Sequence, residues 1–210
     1  MIAFIRYAWS VPTETALATL ARYAPIIELG AGTGHWAALL RARGVDVLAY
    51  DTRCWSDAFA DADASGGTAG GQAGGASTGS AAPGGVATGT SLIEGDRDLC
   101  VAEGGPEAAA AHAGRALLLA WPDYRGLGTY ASCCLAQYTG STLLLLGEWR
   151  GRTLGVHAPP GMGEHGQSFS AAFQMKVEAE WRLVEQERLP SWPFFIDSLM
   201  VWTRSGECDG

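Results

Sequence analysis

The 210-residue sequence predicts an α/β fold in three layers, with helices on both faces of a mostly parallel sheet of seven strands. Three observations lead there. Short apolar segments of strand length alternate with helical segments along most of the chain. A glycine turn links the first apolar segment directly to a helix. The last two apolar segments follow one another with no helix between them, a connection suited to an antiparallel pair at the C-terminal end.

Thr13 to Ala24 has helical spacing of Ala16, Leu17, Leu20, Ala21 and Ala24, with Thr13 as cap after Pro12 and Pro25 as stop. Ile26 to Leu29 is the first strand. His35 to Arg43 is a helix with Trp36, Leu39 and Leu40 on one face, and Gly44 is its C-terminal cap. Val45 to Tyr50 is the second strand and ends at Asp51. Leu99 to Ala102 is read as the third, followed by an alanine-rich helix from Pro106 to about Ala113. Arg115 to Trp121 is the fourth strand, Tyr130 to Tyr138 a helix, and Thr142 to Glu148 the fifth strand. The runs Leu117–Ala120 and Leu143–Leu146 are too short for a bilayer, which takes about 20 residues, and suit strands buried on both faces. A helix over Ser168 to Glu180 precedes two strands, Trp181 to Leu189 and Ser198 to Arg204.

The length fits a single domain over 1–210. Residues 62–90 stand apart, being almost entirely Gly, Ala, Ser and Thr with Val86 the one large aliphatic. Such a stretch cannot bury enough apolar surface to offset its chain entropy and reads as a flexible insertion.

A net charge of −8 and no concentrated Lys/Arg run argue against a nucleic-acid backbone as partner. The five cysteines are odd in number and show no CxxC spacing, so neither zinc nor a disulfide framework is expected. With no signal-peptide pattern at the N-terminus and no membrane-length apolar run, the expectation is a cytoplasmic protein with reduced thiols.

Glu28-Leu29-Gly30-Ala31-Gly32-Thr33-Gly34 is the strongest motif. Glycines allow a tight turn and close approach of a ligand to the backbone. The turn follows an apolar strand, opens a helix, and is trailed by an acidic residue, Asp51, after the next strand. A dinucleotide fingerprint needs Gly or Ala five residues after Gly30, where His35 stands, and Glu28 is out of place beside a pyrophosphate. S-adenosylmethionine has no phosphate and carries an ammonium and a sulfonium. A carboxylate near the turn favours it, and Asp51 can accept from both ribose hydroxyls.

Ile26–Asp51 resembles the first two motifs of class I S-adenosylmethionine-dependent methyltransferases, and the coarse element order resembles that family over nearly the whole chain. The resemblance implies a Rossmann-like three-layer sandwich whose last strand inserts antiparallel. It implies that Gly30, Gly32 and Gly34 form the cofactor loop, Glu28 lies near the methionine amino group, Asp51 binds the ribose, and Glu103 sits near the adenine. Trp121-Pro122-Asp123-Tyr124 occupies the place that faces the transferring methyl group in this fold. It is similar only in part to the Asn/Asp-Pro-Pro-Tyr/Phe stretch of the family's amino-group enzymes. The resemblance thereby implies Trp121 as a cofactor contact, Asp123 as a candidate to orient or deprotonate an acceptor, and Tyr124 as a candidate to pack against it. The aromatic N-terminal stretch, similar to that of a group of small methyltransferase-like proteins, implies that Tyr7 and Trp9 close one side of the pocket. On this resemblance the acceptor is expected to be a small molecule or a protein side chain.

Glu148-Trp149-Arg150 after the fifth strand is either an acceptor-side group or a solvated loop, and Trp181, Trp192 and Trp202 are expected in the core. His157, Glu164 and His165 match no regular metal spacing. The reading from another class is a non-catalytic interaction module that keeps this fold; the imperfect stretch after the fourth strand speaks for it. A nucleotide-dependent oxidoreductase is disfavoured by His35.

Overall fold

The computed structural model describes residues 8–52, 100–123, 126, 128–150, 168–192 and 195–205. The segment 62–90, Tyr7, Tyr124, His157, Glu164 and His165 lie outside them.

Thr13 takes an extended conformation and its hydroxyl accepts from the Ala16 amide at 3.0 Å, so it caps α1 (Glu14–Ala21) as its side chain dictates. β1 (Ile26–Leu29) follows. Gly34, at φ 72°, makes the left-handed step into α2 (His35–Arg41), and Gly44, at φ 77°, the turn beyond that helix. β2 (Val47–Asp51) runs parallel to β1. β3 is only Ala102–Glu103, paired with Tyr50–Asp51, and so lies later than the Leu99–Ala102 expected. Pairing to β2 selects the polar end of that segment, and its residues are exposed. α3 (Ala108–Ala111), β4 (Ala116–Ala120), α4 (Tyr130–Gln137), β5 (Thr142–Gly147), α5 (Ala171–Glu180), β6 (Trp181–Arg188) and β7 (Ser198–Arg204) complete the order.

The seven strands form one sheet in the order β3-β2-β1-β4-β5-β7-β6. The first five are parallel; β7 inserts antiparallel beside β5, and β6 pairs antiparallel with β7. Side chains alternate across it and divide the core in two. Ile27, Leu29, Leu117, Leu119, Leu143, Leu145, Met200 and Trp202 pack with Cys134, Phe169, Phe173 and Val177 on the side of α3, α4 and α5. Ile26, Leu118, Leu144, Leu146, Leu199 and Val201 pack with Leu17, Leu20, Trp36 and Leu40 of α1 and α2 on the other side. Central strands buried on both faces are what continuous leucine runs require. Trp181 and Trp202 belong to the first cluster, as expected. No helix among the described residues is long and apolar enough to cross a membrane.

The chain turns from β1 outward to β2 and β3, then returns to place β4 on the other side of β1. The topological switch point therefore lies at the carboxyl ends of β1 and β4, where ligands of open α/β sheets bind.

Candidate active site

A cavity of about 250 Å³ opens at that switch point. Glu28, the glycine turn, Asp51 and Trp121 line it, and so do Ala8, Trp9 and Ser10 from the segment before α1. The structure thus gathers residues from four separate stretches of sequence onto one site.

The glycine turn is built by backbone conformations that side chains resist. Gly30, Gly32 and Gly34 have φ of 70°, 55° and 72°. A Cβ on Gly30 would come within 3.0 Å of the Tyr130 ring, whereas one on Gly32 would meet no protein atom within 4 Å. Gly30 is thus held against the ring at the start of α4, and Gly32 faces open space. Gly34 is not among the lining residues and serves the turn itself. The Gly32 amide donates to Asp51 Oδ2 at 2.7 Å, which ties the turn to the end of β2.

Glu28 is 1% exposed, and its Oε2 has no hydrogen-bond partner. Burial pushes its carboxyl up to about 8, against the pull of the Ala37 amide and the Arg41 charge. A carboxyl so placed is a poor structural choice and a good receiver for a cation. Among the cavity's lining residues the carboxyl groups are Glu28 and Asp51, and none is Lys or Arg.

Trp121 leaves β4 at φ 52°, a conformation bulky residues rarely adopt. Its ring stacks on Trp9 with centroids 5.6 Å apart and meets the edge of Phe195 at 5.0 Å. Its indole N–H donates to Asp197 Oδ1 at 3.1 Å. The Trp36 indole donates to Ser10 Oγ at 3.1 Å, anchoring the segment that carries Trp9.

Asp123 goes elsewhere. It is buried, and its two oxygens accept from the Ala131 amide at 3.3 Å and the Ser170 amide at 3.1 Å. It joins the loop after β4 to the beginnings of α4 and α5 and does not line the cavity. Glu103 stands in register with Asp51 but is exposed and also outside the lining. Glu148 is fully buried, its Oε1 accepting from the Ile196 amide at 2.9 Å, so it is no solvated loop residue. Among the described residues no group of three or more His, Cys, Asp or Glu forms a metal site.

Sequence reasoning missed Asp197 and the cavity roles of Ser10, His35 and Trp36. Ser10 had a signal, since it sits inside the aromatic N-terminal stretch. Asp197 had none, because only the β5–β7 pairing brings it behind Trp121.

The strand order with β7 antiparallel, together with the glycine turn at the switch point, defines a class I methyltransferase-like fold. No family model and no curated protein matches the chain. Solved structures do. One is the 1,6-didemethyltoxoflavin-N1-methyltransferase of Burkholderia thailandensis, with bound 1,6-didemethyltoxoflavin and S-adenosylhomocysteine. The two are 14% identical over 91% of this chain and 77% of that one, with a TM-score of 0.45. The magnesium protoporphyrin IX methyltransferase of Synechocystis, with bound S-adenosylhomocysteine, is 12% identical over 91% and 81%, with a TM-score of 0.47. A glycopeptide N-methyltransferase complexed with S-adenosylhomocysteine is 13% identical over 90% and 88%, with a TM-score of 0.46.

Proposed function

We propose that the chain is an S-adenosylmethionine-dependent methyltransferase acting on a small molecule or a protein side chain. The observation that carries this reading is the charge of the cavity: its carboxyl groups are Glu28 and Asp51, and it has no Lys or Arg. A pyrophosphate would meet two acids and no cation there. A ligand with an ammonium at one end and a ribose diol at the other meets the groups it needs.

Glu28, whose Oε2 has no partner, receives the ammonium. Asp51, held by the Gly32 amide, accepts from the ribose hydroxyls. Gly32, where a Cβ would meet no protein atom within 4 Å, lets the ligand lie against the backbone. The register beside Asp51 supports giving Glu103 the adenine end. Trp9 and Trp121, stacked on each other, form the aromatic part of the cavity wall. When bound, S-adenosylmethionine supplies an activated methyl group for in-line displacement, so the protein's task is alignment and exclusion of water. Asp123 is assigned no proton transfer, because both its oxygens are engaged by backbone amides.

Calorimetry with S-adenosylmethionine tests the reading. The parent is expected to bind at micromolar Kd. Loss of charged hydrogen bonds in Asp51→Ala should weaken binding at least roughly tenfold. Gly32→Val, whose side chain enters the open space at the turn, should abolish it. A well-folded parent that binds nothing would sink the reading and leave a methyltransferase-like interaction module.

A further inference from the structure

Asp197 occupies a place that packing alone does not ask for. It is fully buried just before β7, one oxygen accepting from the Trp121 indole at 3.1 Å and the other, Oδ2, lacking a partner. An apolar side chain would fill such a space at lower cost, since a buried ionisable group loses its hydration and recovers it only through full pairing. The arrangement is made costlier by its neighbour. Gly147 pairs with Ser198, so Glu148 and Asp197, one step beyond on each strand, come opposite each other, and both are fully buried.

What this costly group does is hold a strained one. Trp121 has a left-handed φ, a strained choice for so bulky a residue, and it lines the cavity. Trp9 stacks on the ring and Phe195 meets it edge-on. Such ring contacts tolerate sliding and rotation in the ring plane. The bond from the indole N–H to Asp197 is directional and fixes that remaining freedom.

We propose that Asp197 is a positioning residue: by holding the Trp121 indole, it sets the aromatic wall that faces the reacting methyl group. This rests on the methyl-transfer reading of the cavity, although Asp197 itself does not line it. Among the described residues, the titratable group facing Asp197 is Glu148 from the end of β5. β4 contributes the Trp121 indole donor, and the loop before β7 the Ser191 hydroxyl, which accepts from the Asp197 amide at 2.8 Å. Burial first and the Glu148 charge second push the Asp197 carboxyl up to about 7. The indole N–H therefore reports the Asp197 proton.

The test is nitrogen-15 NMR of the tryptophan indoles together with calorimetry of S-adenosylhomocysteine. The Trp121 resonance is identified by its loss in Trp121→Phe. In the parent it should titrate with a midpoint near 7, and in Asp197→Asn, which keeps an acceptor, it should stop titrating. Asp197→Asn should bind S-adenosylhomocysteine within about twofold of the parent, and Asp197→Leu roughly tenfold more weakly. In a Trp121→Phe background, Asp197→Leu should add less than about twofold, because its effect runs through the missing indole. Equal weakening in both backgrounds, or an indole indifferent to pH, would overturn the proposal. If Asp197→Leu does not fold, the pH titration and Asp197→Asn still decide it. A parent whose indole titrates but which binds no S-adenosylhomocysteine would refute the methyl-transfer reading and leave the Asp197–Trp121 coupling standing.

Discussion

On the proposed reading, Glu28 is the carboxyl that meets the ammonium of the ligand. In the ligand-free protein burial keeps it up near 8, so at neutral pH it is mostly protonated. A bound ammonium favours the ionised form and pulls the value down, so binding releases a proton. Affinity for S-adenosylhomocysteine should therefore rise as pH increases toward about 8, by up to about tenfold per unit, and level off above it. Calorimetry in buffers of different ionisation enthalpy at pH 7 reads the released proton directly. Glu28→Gln should abolish both the slope and the release and weaken binding roughly tenfold or more. An unchanged affinity in that variant would remove Glu28 from the cofactor site.

At the scale of elements, Asp123 decides how the loop after β4 meets the helices that follow. Each oxygen accepts one backbone amide, from Ala131 and from Ser170. Asp123→Ala leaves two buried donors unpaired and should cost on the order of 2–4 kcal/mol, seen as a lowered midpoint in urea unfolding. Asp123→Asn should be only a partial remedy, because its amide nitrogen would face one of those donors. A general base would behave otherwise, losing turnover in both variants with stability unchanged. Gly128 belongs to the same device, since a Cβ there would lie 2.6 Å from Asp123 Oδ1. Gly32 belongs to a different one. Its left-handed φ means that Gly32→Val costs roughly 1–2 kcal/mol of strain in the fold, besides closing the space a ligand needs.

For the whole molecule the raised carboxyls set a pH dependence of stability. Glu28 rises from 4.5 to about 8 and Asp197 from 3.8 to about 7. The folded state holds these protons more tightly than the unfolded chain. Their contribution is therefore full below the unfolded values and lost as pH rises through the folded ones. The ligand-free protein should lose stability between about pH 5 and pH 8, with Glu28 responsible for about 3 kcal/mol of the fall by pH 7. Thermal melts across that range check this, and the curve of Glu28→Gln should be flatter. Saturation with S-adenosylmethionine should reverse part of the loss, raising Tm by roughly 5–10 °C at about 100 times Kd.

The alternation of apolar strands with helices was legible in the sequence because each strand must be buried on both faces and each helix on one, and both demands leave a local pattern. The acid–glycine–acid spacing from Glu28 to Asp51 was legible for the same reason. The turn needs backbone freedom at fixed positions, and the strand lengths place the acids around it, which β1 and β2 bear out. β3 was misplaced because its bounds depend on pairing with Tyr50–Asp51 and not on its own hydropathy. The direction of Asp123, the burial of Glu148 and the partnership of Asp197 with Trp121 depend on contacts between residues 47, 48 and 76 positions apart. Local sequence determines which elements form and where the chain can turn. Only the packed sheet decides which carboxylates meet backbone amides, which meet one another, and which are left buried facing a cavity, because those energies arise only when distant segments exclude water together.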